Sequence, residues 1–119
     1  MARLLAVVLL LLPLSAQAQD FVAVHDRAEF LSLVKGRALR IAAFGLELRV
    51  APDGQIGGKA MGRPVSGTWV WQDGHFCREM LWGKREIAWN CQLVEARGTA
   101  EMRFTVDRGA GQSARFRLE

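Results

Sequence analysis

The spacing of apolar residues changes character three times along the chain. Leu4 to Leu14 is an apolar run broken only by Pro13, and Ser15-Ala16-Gln17-Ala18 follows it. After the short apolar segment Phe21-Val22-Ala23-Val24 the period becomes helical, with Phe30, Leu31 and Val34 on one face and Leu33 at its margin. Asp26 stands at an N-cap position with Glu29 three residues on, the pattern of a capping box, and Gly36 is a natural C-terminal stop. These signals predict a helix from Arg27 to Lys35. It is too short to hold itself together in water and must dock on a sheet, either covering one of its faces or plugging the end of a barrel.

From Leu39 onward the period is two. Leu46, Leu48 and Val50 alternate with Glu47 and Arg49, and Gly45 marks a bend at the start of that strand. Pro52-Asp53-Gly54 makes a turn, because proline presets the first turn angle and glycine accepts a positive φ. A weaker strand, Gln55 to Met61, follows. Late in the chain Ala100, Met102, Phe104 and Val106 alternate with polar residues, as do Ala114, Phe116 and Leu118 beyond the loop Asp107-Arg108-Gly109-Ala110-Gly111. The expected fold is mainly β: one short N-terminal helix, then an antiparallel meander of about seven strands curling into a small barrel or half-barrel to protect its edges.

The centre of the meander, Gly67 to Leu93, holds all four tryptophans and both cysteines. Asp73-Gly74 is a strong two-residue hairpin signal, and it pairs Gln72 with His75, Trp71 with Phe76, Val70 with Cys77 and Trp69 with Arg78. A three-residue loop, Gly83-Lys84-Arg85, pairs Trp82 with Glu86, Leu81 with Ile87, Glu79 with Trp89 and Cys77 with Cys91. The cysteines then face each other and form a disulfide. This register puts Trp69, Trp71, Phe76, Arg78, Met80, Trp82, Ala88, Asn90 and Gln92 on one face. Thr68, Val70, Cys77, Glu79, Leu81, Ile87, Trp89, Cys91 and Leu93 lie on the other. The bulky first face is expected to point into the barrel.

Composition adds the compartment. Arg3, the apolar run and the Ala16-Gln17-Ala18 site describe a secretory signal peptide, residues 1–18, cleaved before Gln19. The run is too short to span a bilayer. Residues 19–119 then form a single β-rich domain, and no membrane span is expected after cleavage. Periplasmic export suits a disulfide. The 16 basic and 12 acidic residues give a net charge of +4, or +3 once Arg3 is removed, with the signs interspersed. That pattern is not a nucleic-acid footprint.

Candidate chemistry is sparse. Pro64-Val65-Ser66-Gly67 is not a nucleophile elbow, and two histidines leave little room for a triad. Gly57-Gly58-Lys59 and Gly109-Ala110-Gly111 lack the lysine spacing and strand-to-helix context of a phosphate loop. No catalytic set, metal site or cofactor is expected. Arg78 among aromatic side chains is the exception, because a buried charge needs a partner. It makes either a structural contact, by cation–π or with an acidic residue such as Glu95 or Glu101, or part of a ligand pocket. In the second case Trp69, Trp71, Arg78, Asn90 and Gln92 would recognise a small polar or anionic ligand.

The run Gly67-x-Trp69-x-Trp71-x-Asp73-Gly74-x-Phe76-Cys77-Arg78, with Asn90-Cys91-Gln92-Leu93 and Asp107-Arg108-Gly109-Ala110-Gly111, resembles small exported alphaproteobacterial proteins of no established activity. Some of those carry the name dihydrodipicolinate reductase. That activity implies an N-terminal dinucleotide-binding α/β domain and a His-His-x-x-Lys segment, and this chain has neither. The expected function is a periplasmic, non-enzymatic binding or interaction domain for a protein or a small ligand. The alternatives are an enzyme with an unrecognised site and a structural accessory of an envelope complex.

Overall fold

In the computed structural model residues 2–4, 6–11 and 20–119 are described. Pro13 and the expected cleavage site, Ser15 to Gln19, lie outside them. Among the described residues no helix is long and apolar enough to cross a membrane.

The helix α1 spans Arg27–Val34, one residue shorter than expected, with Lys35 as its C-cap. Asp26 accepts the N–H of Glu29 at 2.8 Å. The Glu29 carboxylate reaches back to the N–H of His25 at 3.0 Å, one residue beyond the capping-box position. Gly36 then turns the chain with φ of +68°.

Nine strands accompany this helix among the described residues: β1 (Val22–Ala23), β2 (Leu39–Ile41), β3 (Leu46–Val50), β4 (Gln55–Ala60), β5 (Arg63–Gln72), β6 (His75–Trp82), β7 (Arg85–Arg97), β8 (Glu101–Thr105) and β9 (Ser113–Leu118). From β2 to β9 each pairs antiparallel with its sequence neighbours, and β9 returns to β2. The meander is a closed eight-stranded barrel. Two strands escape the sequence pattern, and one of them, the three-residue β2, makes the closure: Leu39 faces Leu118 and Arg40 faces Arg117. Backbone hydrogen bonds between Ala38 and Glu119, at 2.8 and 3.0 Å, extend that seam. The other, β1, lies outside the barrel and pairs with Ala96 and Glu95 of β7 beyond the point where β6 begins.

The first central hairpin has the expected register throughout. The second differs. Its turn is the two-residue Gly83-Lys84, so Trp82 pairs with Arg85, Leu81 with Glu86 and Met80 with Ile87. A β-bulge between Met80 and Arg78 absorbs one extra residue of β7, after which Arg78 faces Asn90 and Cys77 faces Cys91. The disulfide therefore forms as expected, but by way of a bulge and not of a longer loop. Two side chains change face as a result: Ile87, expected outside, lines the interior beside Met80, and Ala88, expected inside, is exposed on the outer face beside Glu79 and Leu81.

The two ends of the barrel are unlike. At one end lie the β3–β4, β5–β6 and β7–β8 turns and the C-terminus, and α1 plugs it. Phe30, fully buried, packs against Trp69, Trp71, Phe76 and Phe104 with ring centroids 5.1–6.3 Å apart. Arg27 tethers the helix to the carbonyl of Pro52, and Arg37 donates to the carbonyls of Thr99 and Leu118. The helix thus plugs the barrel and does not cover the outer face. At the other end lie the β2–β3, β4–β5 and β6–β7 connections and the β8–β9 loop.

Candidate functional site

Inside the barrel, between the plug and the unplugged end, is a cavity of about 360 Å³. Its wall follows from the two-residue period: alternate side chains of β3, β4 and β6 face inward, giving Leu46, Leu48, Val50, Ile56, Phe76 and Met80. Leu39, Ile87, Phe104 and Phe116 complete the apolar surface. An eight-stranded barrel either fills its interior with side chains or retains space for one small ligand, and this one retains space. Gln112, Ser113 and Ala114 line the cavity yet are exposed, which places its opening beside the β8–β9 loop.

Two polar side chains stand in this wall, Arg78 and Gln92, each 8% exposed. They occupy neighbouring inward rungs on either side of the disulfide: Cys77 faces Cys91, Arg78 follows Cys77 and Gln92 follows Cys91. The disulfide, on the outside, thereby fixes the register of the two strands where they present their polar groups inward. Arg78 Nη1 donates to the carbonyl oxygen of Ala88 at 2.8 Å. That carbonyl belongs to the bulge, whose irregular backbone frees an acceptor from the ladder.

No carboxylate among the described residues lies within ion-pair distance of Arg78. The structural partners anticipated for it are engaged elsewhere. Glu95 takes Arg103 through two hydrogen bonds of 2.9 and 3.0 Å, Glu101 takes Arg97, and the face of Trp69 is occupied by Arg27. Burial pulls the pKa of Arg78 below the ordinary arginine value by desolvation. The guanidinium is still the protonated form at neutral pH, so the cavity carries a positive charge.

The five residues proposed as a binding set are not gathered in one place. Arg78 and Gln92 line the cavity. Trp71 stacks on Phe30 and Trp69 meets it edge-on at the plugged end, and the Trp69 indole donates to the carbonyl of Ala51 at 2.9 Å. Asn90 holds the β8–β9 loop: its amide nitrogen donates to Asp107 Oδ1 at 2.8 Å and its amide oxygen accepts the Asp107 N–H at 2.9 Å. The apolar wall from β3, β8 and β9 was legible as alternation, but nothing in the sequence indicated that the interior would be left unfilled. The outer face of β5–β7 is the wet one, with Val70, Leu81 and Trp89 about half exposed.

Compared with known protein families, characterised proteins and solved structures, the chain matches none.

Proposed function

We propose that this protein is an exported, non-enzymatic binding module that holds a small ligand inside its barrel. One observation carries the reading: a buried arginine without a carboxylate partner among the described residues faces, together with Gln92, a cavity walled mainly by apolar side chains. Desolvating a cation is costly, and a fold that served only to be stable would have a leucine or methionine there. Arg78 and Gln92 are the anchoring groups of this reading. Trp69, Trp71 and Asn90 support the site, the tryptophans by seating the plug and Asn90 by fixing the loop beside the opening.

The signal-peptide pattern and the disulfide support export to the periplasm, and the resemblance to small exported proteins agrees with it. Expression of the full chain in a Gram-negative host tests this part. Periplasmic protein whose mass begins at Gln19 is expected, and retention of Met1 in the cytoplasm refutes it. Thermal-shift screening of residues 19–119 against small ligands tests the binding part. Stabilisation is expected to grow with the logarithm of ligand concentration above Kd and to disappear in Met80→Trp, which fills the cavity. If no ligand small enough to enter shifts the transition, the barrel interior is not a binding site.

A further inference from the structure

We infer that the ligand is an amphipathic monocarboxylate, with its carboxylate on Arg78 and Gln92 and an apolar body of roughly seven to nine non-hydrogen atoms in the barrel. The inference rests on the binding-module reading above and adds the chemical class of the ligand. At about 30 Å³ for each non-hydrogen atom, the volume of a water in the liquid, a cavity of 360 Å³ holds roughly twelve such atoms. That is the size of an unbranched acid of roughly eight to ten carbons, or of an arylalkanoic acid of equal volume.

Charge and geometry choose the head group. A single guanidinium in an apolar wall balances one negative charge, and the described residues bring no second cation to the cavity lining. A phosphate monoester, with nearly two charges at neutral pH, would leave one of them desolvated and unpaired. The planar fork of arginine fits a carboxylate through two parallel hydrogen bonds. One donor of Arg78 is held by the carbonyl of Ala88, which orients the fork before any ligand arrives. Gln92 adds an amide one inward rung away, able to donate to the same carboxylate.

The rest of the wall chooses the body. Leu39, Leu46, Leu48, Ile56, Met80 and Phe116 offer no hydrogen bond, so a sugar or an amino acid would bury hydroxyls or an ammonium group unpaired there. The exposed Gln112 and Ser113 put polar residues at the opening. The positive charge stands inside, so the ligand enters head first or turns on entry. An alkylamine is rejected by the like charge of Arg78.

Calorimetric titration of residues 19–119 with octanoate, octan-1-ol and octylamine separates the possibilities. Octanoate is expected to bind about tenfold to a hundredfold more tightly than octan-1-ol, the range of one charge-assisted contact, and octylamine not at all. Arg78→Met is expected to keep octan-1-ol binding and to lose the preference for the acid. Retention of its disulfide and of a cooperative thermal transition shows that the variant is folded. If the alcohol binds as tightly as the acid, the carboxylate assignment is wrong and the barrel remains a binding site. If none of the three binds, and octanoate and decanoate both leave the thermal transition unmoved, the binding-module reading fails and takes this inference with it.

Discussion

Arg78 and Ala88 are joined across a β-bulge: the guanidinium of the first donates to the carbonyl oxygen of the second at 2.8 Å. On the turn side of the bulge Met80 faces Ile87, and beyond it Arg78 faces Asn90, so β7 carries one residue more than β6. Deleting Ala88 brings both halves into one register without moving Cys91 from its place opposite Cys77. The deletion variant is therefore expected to form the disulfide as completely as the parent, read as the mass of the oxidised chain. Its discrimination between octanoate and octan-1-ol is expected to shrink, because Arg78 has lost the acceptor that orients it. Free thiols in the purified variant would show that the bulge is not what reconciles the turn with the cysteine pair.

Phe30 is the point at which the helix depends on the barrel. It is fully buried, and four aromatic rings of the barrel interior surround it. An eight-residue helix has little stability of its own, so its position rests on that contact and on the Asp26 cap. Phe30→Ala is expected to cost about 3–5 kcal/mol in urea unfolding, the range for emptying a buried aromatic site. A loss below about 1 kcal/mol would mean that the plug is not integral to the folded domain.

What the sequence discloses and what it conceals divide along physical lines. The first hairpin was legible to the residue because Asp73-Gly74 admits one turn type, and Asp73 and Gly74 do take positive φ of 51° and 74°. The second was not. Gly83-Lys84-Arg85 permits two or three turn residues, and the facing cysteines could be reached either by a longer loop or by a bulge. Strand β2 was missed because three residues, Leu39-Arg40-Ile41, are too few to show a period. The partner of Arg78 is the hardest case. Glu95 and Glu101 were the nearest plausible carboxylates by type, but only the completed sheet shows that Arg103 and Arg97 take them. A cavity cannot be read from alternation either, because the same inward leucines and phenylalanines line a filled barrel and an open one.

Gly57 and Gly58 are adjacent in β4 but stand in different surroundings. A Cβ at Gly57 would meet nothing within 4 Å. At Gly58, where φ is +148°, it would overlap the carbonyl oxygen of Glu47 on β3. Gly57→Ala is expected to leave stability unchanged or raise it by about 0.4–1 kcal/mol through the unfolded chain. Gly58→Ala is expected to lower it by about 2 kcal/mol or more, combining backbone strain with a steric clash against backbone. Equal effects of the two substitutions on the urea midpoint would contradict the close approach of β3 and β4 at this rung.

The disulfide staples β6 to β7 between cysteines 14 residues apart in sequence. The chain-entropy account assigns such a ring about 3 kcal/mol. In the Cys77→Ser, Cys91→Ser double variant the thermal midpoint is expected to fall by at least about 10 °C, as a domain of this size moves about 4–8 °C per kcal/mol. A midpoint within about 2 °C of the parent's would show that the ladder holds its register without the covalent link.

Asn90 and Asp107 bond reciprocally, side chain to side chain and side chain to backbone. Asp107 and Arg108 both take positive φ, 55° and 54°, in a loop that packs on β7. Two residues in that conformation are costly unless something outside the loop holds them, and the Asn90 amide is that hold. Asn90→Ala and Asp107→Ala are each expected to destabilise the fold by about 1–2 kcal/mol, and the double variant by less than their sum, with a coupling of about 1 kcal/mol. The loop stands beside the cavity opening, so its amide protons are expected to exchange faster in Asn90→Ala while those of β5 and β6 keep their protection. Additive energies together with unchanged exchange would show that the clasp does not fix the loop. The Asp107 backbone would then be held by the packing of the loop on β7.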